Sequence, residues 1–152
     1  MAGSPITWDH PDPHLQQQTV REGDIDGLGH TNNAVYVSWC EQVAWSHSEA
    51  LGLNLESYQR LDRAMAVIHA EYDYLQASRL GESLLAATWI TEWDGRLTML
   101  RHFQIVRTTD QVTLLRGKVR FACIEISTGR PRRLPAEFIA GYGPAIIEVE
   151  RS

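Results

Sequence analysis

Cysteine is scarce in this chain: Cys40 and Cys123 are the only two in 152 residues. They lie far apart in apolar stretches, so a disulfide stays open, but buried thiols in a reducing cytosol fit the pattern better. Neither has a matched base beside it in sequence, which argues against a cysteine nucleophile. No run approaches the roughly 18 apolar residues of a membrane span. The opening MAGSPITWDHPDPH has neither a basic n-region nor an apolar h-region, so no secretory signal is expected. Cations are outnumbered as well. The 14 Lys and Arg stand against 19 Asp and Glu, and a net charge of −5 argues against general nucleic-acid binding. The expectation is a cytoplasmic protein with neither a nucleic-acid nor a membrane partner. At 43% hydrophobic and 22% charged residues the composition is that of a folded chain, long enough for one domain with a real core. That domain is expected to take in residues 1–152, with the proline-rich 1–14 (Pro5, Pro11, Pro13) as a loose lead-in.

Thr19 to Gly52 is the stretch on which the rest turns. A short extended run leads into an acidic, glycine-broken turn, Gly23-Asp24-Ile25-Asp26-Gly27-Leu28-Gly29-His30. Thr31, Asn32 and Asn33 follow, all good helix-capping residues, and then an apolar helix from Ala34 to Leu51 with Gly52 as its stop. Carboxylates, a histidine and a helix N-terminus thus fall within about ten residues of one another, and the free amides of a first helical turn favour an anion or a developing oxyanion. Apolar residues cover most of the helix circumference, leaving a narrow polar stripe at Glu41, Gln42, Ser46 and Glu49, so burial on most sides is expected. Glu41 is expected to be partly buried, as a hydrogen-bonding partner or as a residue ordering the site.

Around this stretch the pattern predicts strands. One runs from about Leu15 to Val20, and from Arg63 onward apolar and polar residues alternate through Ala66, Ile68, Ala70, Tyr72 and Tyr74. After a break at Ser78–Glu82, Leu84 to Trp93 and Arg96 to Thr108 flank Asp94-Gly95, a strong hairpin turn, and Val112 to Ile126 follows a turn at Thr109–Gln111. The tail holds GRPRRLP and then PAEFIAGY, a turn and a short helix or coil. The predicted order is strand, helix, then a meander of four strands.

Several chemistries can be weighed on the acidic turn. Asp-x-Asp-Gly suggests a calcium loop, but its twelfth position is Val35 where a glutamate is required. Asp24, Asp26 and His30 could hold a metal, yet no convincing further ligand follows. GLGH lacks the Lys-Ser/Thr ending of a phosphate loop. Two aspartates at i and i+2 on an extended backbone point to opposite sides. One therefore faces a pocket, and Asp26, nearer the helix, is the choice; the other reads as a turn or cap residue. His30 is either a hydrogen-bonded turn residue or part of the site. The Asn33 N–H, at the helix start, could donate to a substrate carbonyl oxygen.

These residues carry a resemblance. The run VREGDIDGLGHTNNAVYVSWCEQVAWSHSEALG resembles the 4-hydroxybenzoyl-CoA thioesterase-like branch of the hotdog-fold acyl-CoA thioesterases, whose signature falls here on Asp24, Asp26, Gly29, His30, Asn32 and Tyr36. AEYDYLQASRLGESL and GRPRRLPAEF also look like family segments, with Ser78 in place of a proline common in that turn. The resemblance implies an α+β hotdog fold, an antiparallel sheet wrapped around one long helix, and active sites at the interface of a homodimer that can pair into a homotetramer. It implies an acyl-CoA substrate, no cofactor and no metal. Asp26 matches the catalytic carboxylate, as general base or nucleophile, and Asn33 the position whose amide polarises the thioester carbonyl. His30 belongs to the same catalytic signature, and Gly29, Asn32 and Tyr36 are expected to line the substrate. Arg116, Lys118 and Arg120 form a basic stripe, either a solvated face or a binding surface for the phosphates of coenzyme A, as could Arg130, Arg132 and Arg133. Tyr36, Trp39, Trp45, Tyr72, Tyr74 and Trp89 are bulky enough to shorten an acyl tunnel. An acidic surface disfavours an acidic carrier protein, which tips the expected thioester toward coenzyme A. A dehydratase or hydratase using Asp26 and His30, and a non-catalytic acyl-CoA-binding module, remain the alternatives.

Overall fold

Half-buried and exposed side chains alternate along the first strand, β1 (His14–Thr19). The structure, a computed structural model, describes residues 6–148, so the first five residues of the expected lead-in lie outside the described residues. Asp9 in that lead-in is held by Arg116 and by the side chain of Gln104. After β1 come α1 (Asn33–Ala50), α2 (Leu55–Leu61), β2 (Arg63–Tyr74), β3 (Ser83–Trp93), β4 (Thr98–Arg107), β5 (Val112–Glu125) and α3 (Ala136–Tyr142). The fold is α+β, with one five-stranded antiparallel sheet in the order β1-β3-β4-β5-β2. Among the described residues no helix is long and apolar enough to cross a membrane.

Local chemistry sets the element ends. Gly52 at φ +85° lets α1 close with its amide on the Glu49 carbonyl and the Leu53 amide on Ser48, a left-handed cap that a side chain would strain. Asn54 starts α2 by accepting the Ser57 N–H at 2.9 Å. The β3–β4 hairpin forms where expected: Asp94 Oδ1 accepts the amides of Arg96, Leu97 and Thr98.

Two expectations need correction. The strands are not a meander of four. β1 pairs with β3 residue for residue, from His14↔Thr88 to Thr19↔Ser83, and so takes the place expected for β2. β2 lies beside β5 instead, and the Leu75 N–H donates to the Leu114 carbonyl just beyond it. Periodicity identifies a strand but not its neighbour. Nor is α1 covered on most sides. Tyr36, Trp39, Cys40 and Val43, at i, i+3, i+4 and i+7, are buried, whereas Ala34, Glu41, Gln42, Trp45 and Ala50 are exposed. Glu41 is thus open to solvent in the single chain.

Packing falls into two compact units. One holds the chain up to Ala44 with Tyr72–Thr88 and Phe103–Gly117; the other holds Trp45–Glu71, Trp89–His102 and the chain from Lys118. The first has Val20, Tyr36, Trp39, Leu84, Ile105 and Leu115 among its buried residues. The second is built on Leu53, Tyr58, Ile90, Met99, Phe138 and Tyr142. Cys40 and Cys123 are free buried thiols, and burial pushes both pKa values up, which makes them poor nucleophiles.

Candidate active site

The first unit contains the acidic turn, and its backbone closes on itself. From β1 the chain enters a short 3-10 turn, Glu22–Asp24, in which the Arg21 N–H donates to Asp24 Oδ2 at 2.9 Å. Asp24 is therefore a turn residue, and its carbonyl also takes the Asn32 N–H at 2.8 Å. The Asp26 N–H donates to the His30 carbonyl at 2.8 Å and the Gly29 N–H to the Asp26 carbonyl at 3.2 Å. This tight loop needs Gly29 at φ +79°, the left-handed region glycine tolerates.

Asp26 sits at the centre. Its Oδ1 accepts the amides of Leu28 (2.8 Å) and His30 (3.1 Å). Those two hydrogen bonds, Leu28's the stronger, hold its pKa below the ordinary carboxylate value against an opposing burial effect, with His30 adding a small electrostatic pull. The group is ionised at neutral pH and locked in one orientation. Among the described residues nothing donates to Oδ2, which leaves one carboxylate oxygen for chemistry.

Seven residues on, α1 begins. Asn32 is its cap: Oδ1 accepts the Ala34 N–H at 3.0 Å and the carbonyl accepts the Val35 N–H at 2.9 Å. Asn33 is the first helical residue and is exposed, and its N–H donates to no described residue. A fixed carboxylate and an open helix amide therefore belong to one hydrogen-bonded loop. His30 joins it through its backbone; among the described residues its imidazole makes no hydrogen bond to Asp26.

Tyr36 is buried, and its hydroxyl lies 2.7 Å from Ser78 Oγ. Ser78 and Thr31, also buried and 2.7 Å apart through their hydroxyls, are the residues that sequence reasoning missed. The one signal for them was the unusual serine in the break before β3. Of the aromatic residues singled out as bulky, Tyr36 meets Trp39 edge-on at 5.5 Å and Tyr74 at 6.1 Å, with Tyr72 6.5 Å beyond Tyr74. Burial, with smaller contributions from Cys40 and Glu41, pushes the Tyr72 pKa up to about 12. Trp45 packs on Tyr58 in the second unit, and Trp89 is buried.

The basic stripe is largely neutralised. Arg116 makes a bidentate pair with Asp9 at 2.7 and 3.0 Å in the first unit. In the second, Arg120 pairs with Glu92 at 2.7 Å, and Lys118 lies with them along a groove of about 660 Å³ bordered by Thr91, Thr98 and His102. Arg132 pairs with Glu125 at 3.0 Å. Among the described residues, no three His, Cys, Asp or Glu side chains come together as metal ligands.

Known proteins resemble this chain in sequence and in fold. A chloroplastic acyl-acyl carrier protein thioesterase of Arabidopsis thaliana is 25% identical over 123 residues, 81% of this chain and 64% of that protein. A second from the same plant is 24% identical over 132 residues, 86% of this chain and 68% of that protein. The chain thus spans less than two thirds of the length of the first. Among solved structures, a Staphylococcus aureus protein in complex with CoA superposes with a TM-score of 0.80 at 20% identity, covering 93% of this chain and 90% of that one. The 1,4-dihydroxy-2-naphthoyl-CoA thioesterase of Synechocystis gives 0.76 at 21% identity, covering 85% and 95%. At such identities the likeness establishes a common fold. The profile of the thioesterase-like superfamily matches residues 20–141, from the end of β1 through the acidic turn and helix start to α3, and the chain belongs to that superfamily.

Proposed function

We propose that this protein hydrolyses an acyl thioester to a carboxylic acid and a thiol, with Asp26 as the catalytic carboxylate. The observation that carries the reading is Asp26 itself, ionised and fixed by the Leu28 and His30 amides in the loop that ends on the open Asn33 N–H. The thioester carbonyl oxygen would accept from the Asn33 N–H, so the charge that develops on it meets a donor requiring no reorganisation. Asp26 Oδ2 then either draws a proton from water as it adds to the carbonyl carbon, or adds there itself to give an anhydride that water cleaves. In both routes the carbon–sulfur bond breaks, water's hydroxyl ends on the acyl carbon and its proton on the thiol. A depressed pKa makes Asp26 a weak base but keeps it ionised over a wide pH range.

Gly29 fits this reading as the residue that lets the backbone turn tightly beside the reacting carbon. Asn32 and Tyr36 support the helix start. The substrate class we favour is acyl-CoA, on the likeness to the Staphylococcus aureus protein that holds CoA; the acyl carrier protein thioesters of the Arabidopsis relatives are the competing class. In the first unit, Arg116 once released from Asp9 is the cation proposed to meet the phosphates of CoA. A homodimer with the site at its interface is supported by β2, an edge strand on which Val67 and Ile68 are each 56% exposed. The hydratase alternative needs the His30 ring and Asp26 to act as a pair, and that pair is not hydrogen-bonded.

The test is thiol release from acyl-CoAs ranging from acetyl to palmitoyl, with one aromatic acyl group, beside the same acyl groups on acyl carrier protein. Release from the CoA series is the expected outcome. Release from the carrier-protein series alone would reverse the substrate assignment, and binding without release from either would overturn hydrolysis.

A further inference from the structure

The loop that carries Asp26 is tied to the rest of its unit at one fully buried residue, Ser78, in the connection between β2 and β3. Its carbonyl accepts the Thr31 N–H at 2.9 Å, and its hydroxyl lies 2.7 Å from both Thr31 Oγ1 and the Tyr36 hydroxyl. Thr31 Oγ1 is also 3.3 Å from the Ser78 carbonyl. Each hydroxyl has one proton, and one order gives every proton an acceptor: Tyr36 to Ser78 Oγ, Ser78 to Thr31 Oγ1, and Thr31 back to the Ser78 carbonyl. All three side chains are buried, so no bulk water substitutes for a missing partner.

The two residues that Ser78 holds stand on either side of the helix start. Thr31 bridges to Ile25 and directly follows His30, whose amide orients Asp26. Tyr36 lies one turn inside α1. Between them are Asn32, whose N–H is held by Asp24, and Asn33, with its open amide. We propose that Ser78 is a positioning residue for hydrolysis: through Thr31 and Tyr36 it sets the Asn33 amide against the Asp26 carboxylate. The proposal rests on the catalytic reading of that loop. An ordinary core serine would satisfy itself on a nearby carbonyl. This one joins a loop residue to a helix residue through the same oxygen.

The test uses Ser78→Ala, Tyr36→Phe and the double variant, with two readouts. In steady-state hydrolysis of the best acyl-CoA, Ser78→Ala should lower kcat about 10- to 100-fold, the cost of a small misplacement of reacting groups, with KM moving no more than about twofold. Tyr36→Phe, which removes the other end of the network without altering the β2–β3 connection, should lower kcat less. The double variant should stay within about twofold of Ser78→Ala, because both remove one network. Hydrogen exchange supplies the second readout: the Thr31 and Asn32 amides should exchange about tenfold faster in Ser78→Ala while β3 and β4 amides are unchanged. Wild-type kcat in Ser78→Ala, even with a lowered Tm, would overturn the positioning role. Unchanged Thr31 exchange would do the same. A wild type that hydrolyses no thioester would instead overturn the catalytic reading of the loop, and the exchange measurement would still decide whether Ser78 holds it.

Discussion

Gly141→Ala is expected to destabilise the protein although it places a better helix former in α3. Alanine is favoured over glycine in a helix interior by at most about 1 kcal/mol. Against this, a Cβ at residue 141 would stand 2.6 Å from Leu53 Cδ1, 3.0 Å from Leu53 Cγ and 3.3 Å from the Leu51 carbonyl oxygen. Leu53 cannot swing away: it is 3% exposed and belongs to the core cluster that includes Tyr58, Phe138 and Tyr142. Overpacking of this kind costs about 1–3 kcal/mol, so the net loss should be about 0.5–2 kcal/mol once the helix gain is subtracted. Urea unfolding would read it as a lower midpoint at unchanged slope. Deleting the obstacle should reverse the sign. In a Leu53→Ala background, itself weakened by about 2–5 kcal/mol, adding Gly141→Ala should be neutral or stabilising by up to about 1 kcal/mol. A Gly141→Ala protein as stable as wild type with Leu53 intact would refute the reasoning, because it would mean that the core beside α3 yields freely.

Other outcomes follow from the hydrogen bonds. Asp94 has its pKa brought down to about 2: burial opposes the shift, but the amides of Leu97, Arg96 and Thr98 and the Thr98 hydroxyl outweigh it. A lowered folded pKa adds stability above the unfolded value of 3.8 that is lost as pH falls from there to about 2, so Asp94→Asn should flatten the acid limb of stability in that window; an unchanged limb would count against it. Asn32→Ala removes the α1 cap and should cost about 1 kcal/mol in denaturant unfolding. Tyr142→Phe leaves the buried hydroxyls of Ser48 and Tyr58 without the oxygen between them and should cost about 1–3 kcal/mol. Adding Ser48→Ala to it should cost less than Ser48→Ala does in wild type.

Much of the fold was legible because strong local signals agree with the tertiary outcome. The Asp94-Gly95 turn is fixed by its own carboxylate, and the stop at Gly52 by a left-handed φ that glycine tolerates. The short helix α2 was readable in principle from Asn54 and Ser57, a reciprocal cap three residues apart, but seven residues carry little periodicity. The position of β2 beside β5 was not readable, since alternation says nothing about neighbours. The basic stripe looked free because its partners are remote in sequence, with Asp9 separated from Arg116 by 107 residues. At the site, proximity to the helix is the sequence's ground for choosing Asp26 over Asp24, and the structure gives each a separate set of backbone donors. Ser78 stood out only as a serine in place of a proline, and its hydrogen bonds could not be read because they reach hydroxyls 42 and 47 residues away.

The catalytic role of Asp26 is tested by the rate of thiol release by Asp26→Asn, measured beside substrate binding and thermal unfolding. Asparagine keeps an Oδ1 that accepts the Leu28 and His30 amides, so the loop and the binding constant should be preserved. The charge that adds to the carbonyl or activates water is gone, and release should fall about 10²- to 10⁴-fold. Release near the wild-type rate from a folded Asp26→Asn protein would make Asp26 a turn residue like Asp24, and would contradict the assignment.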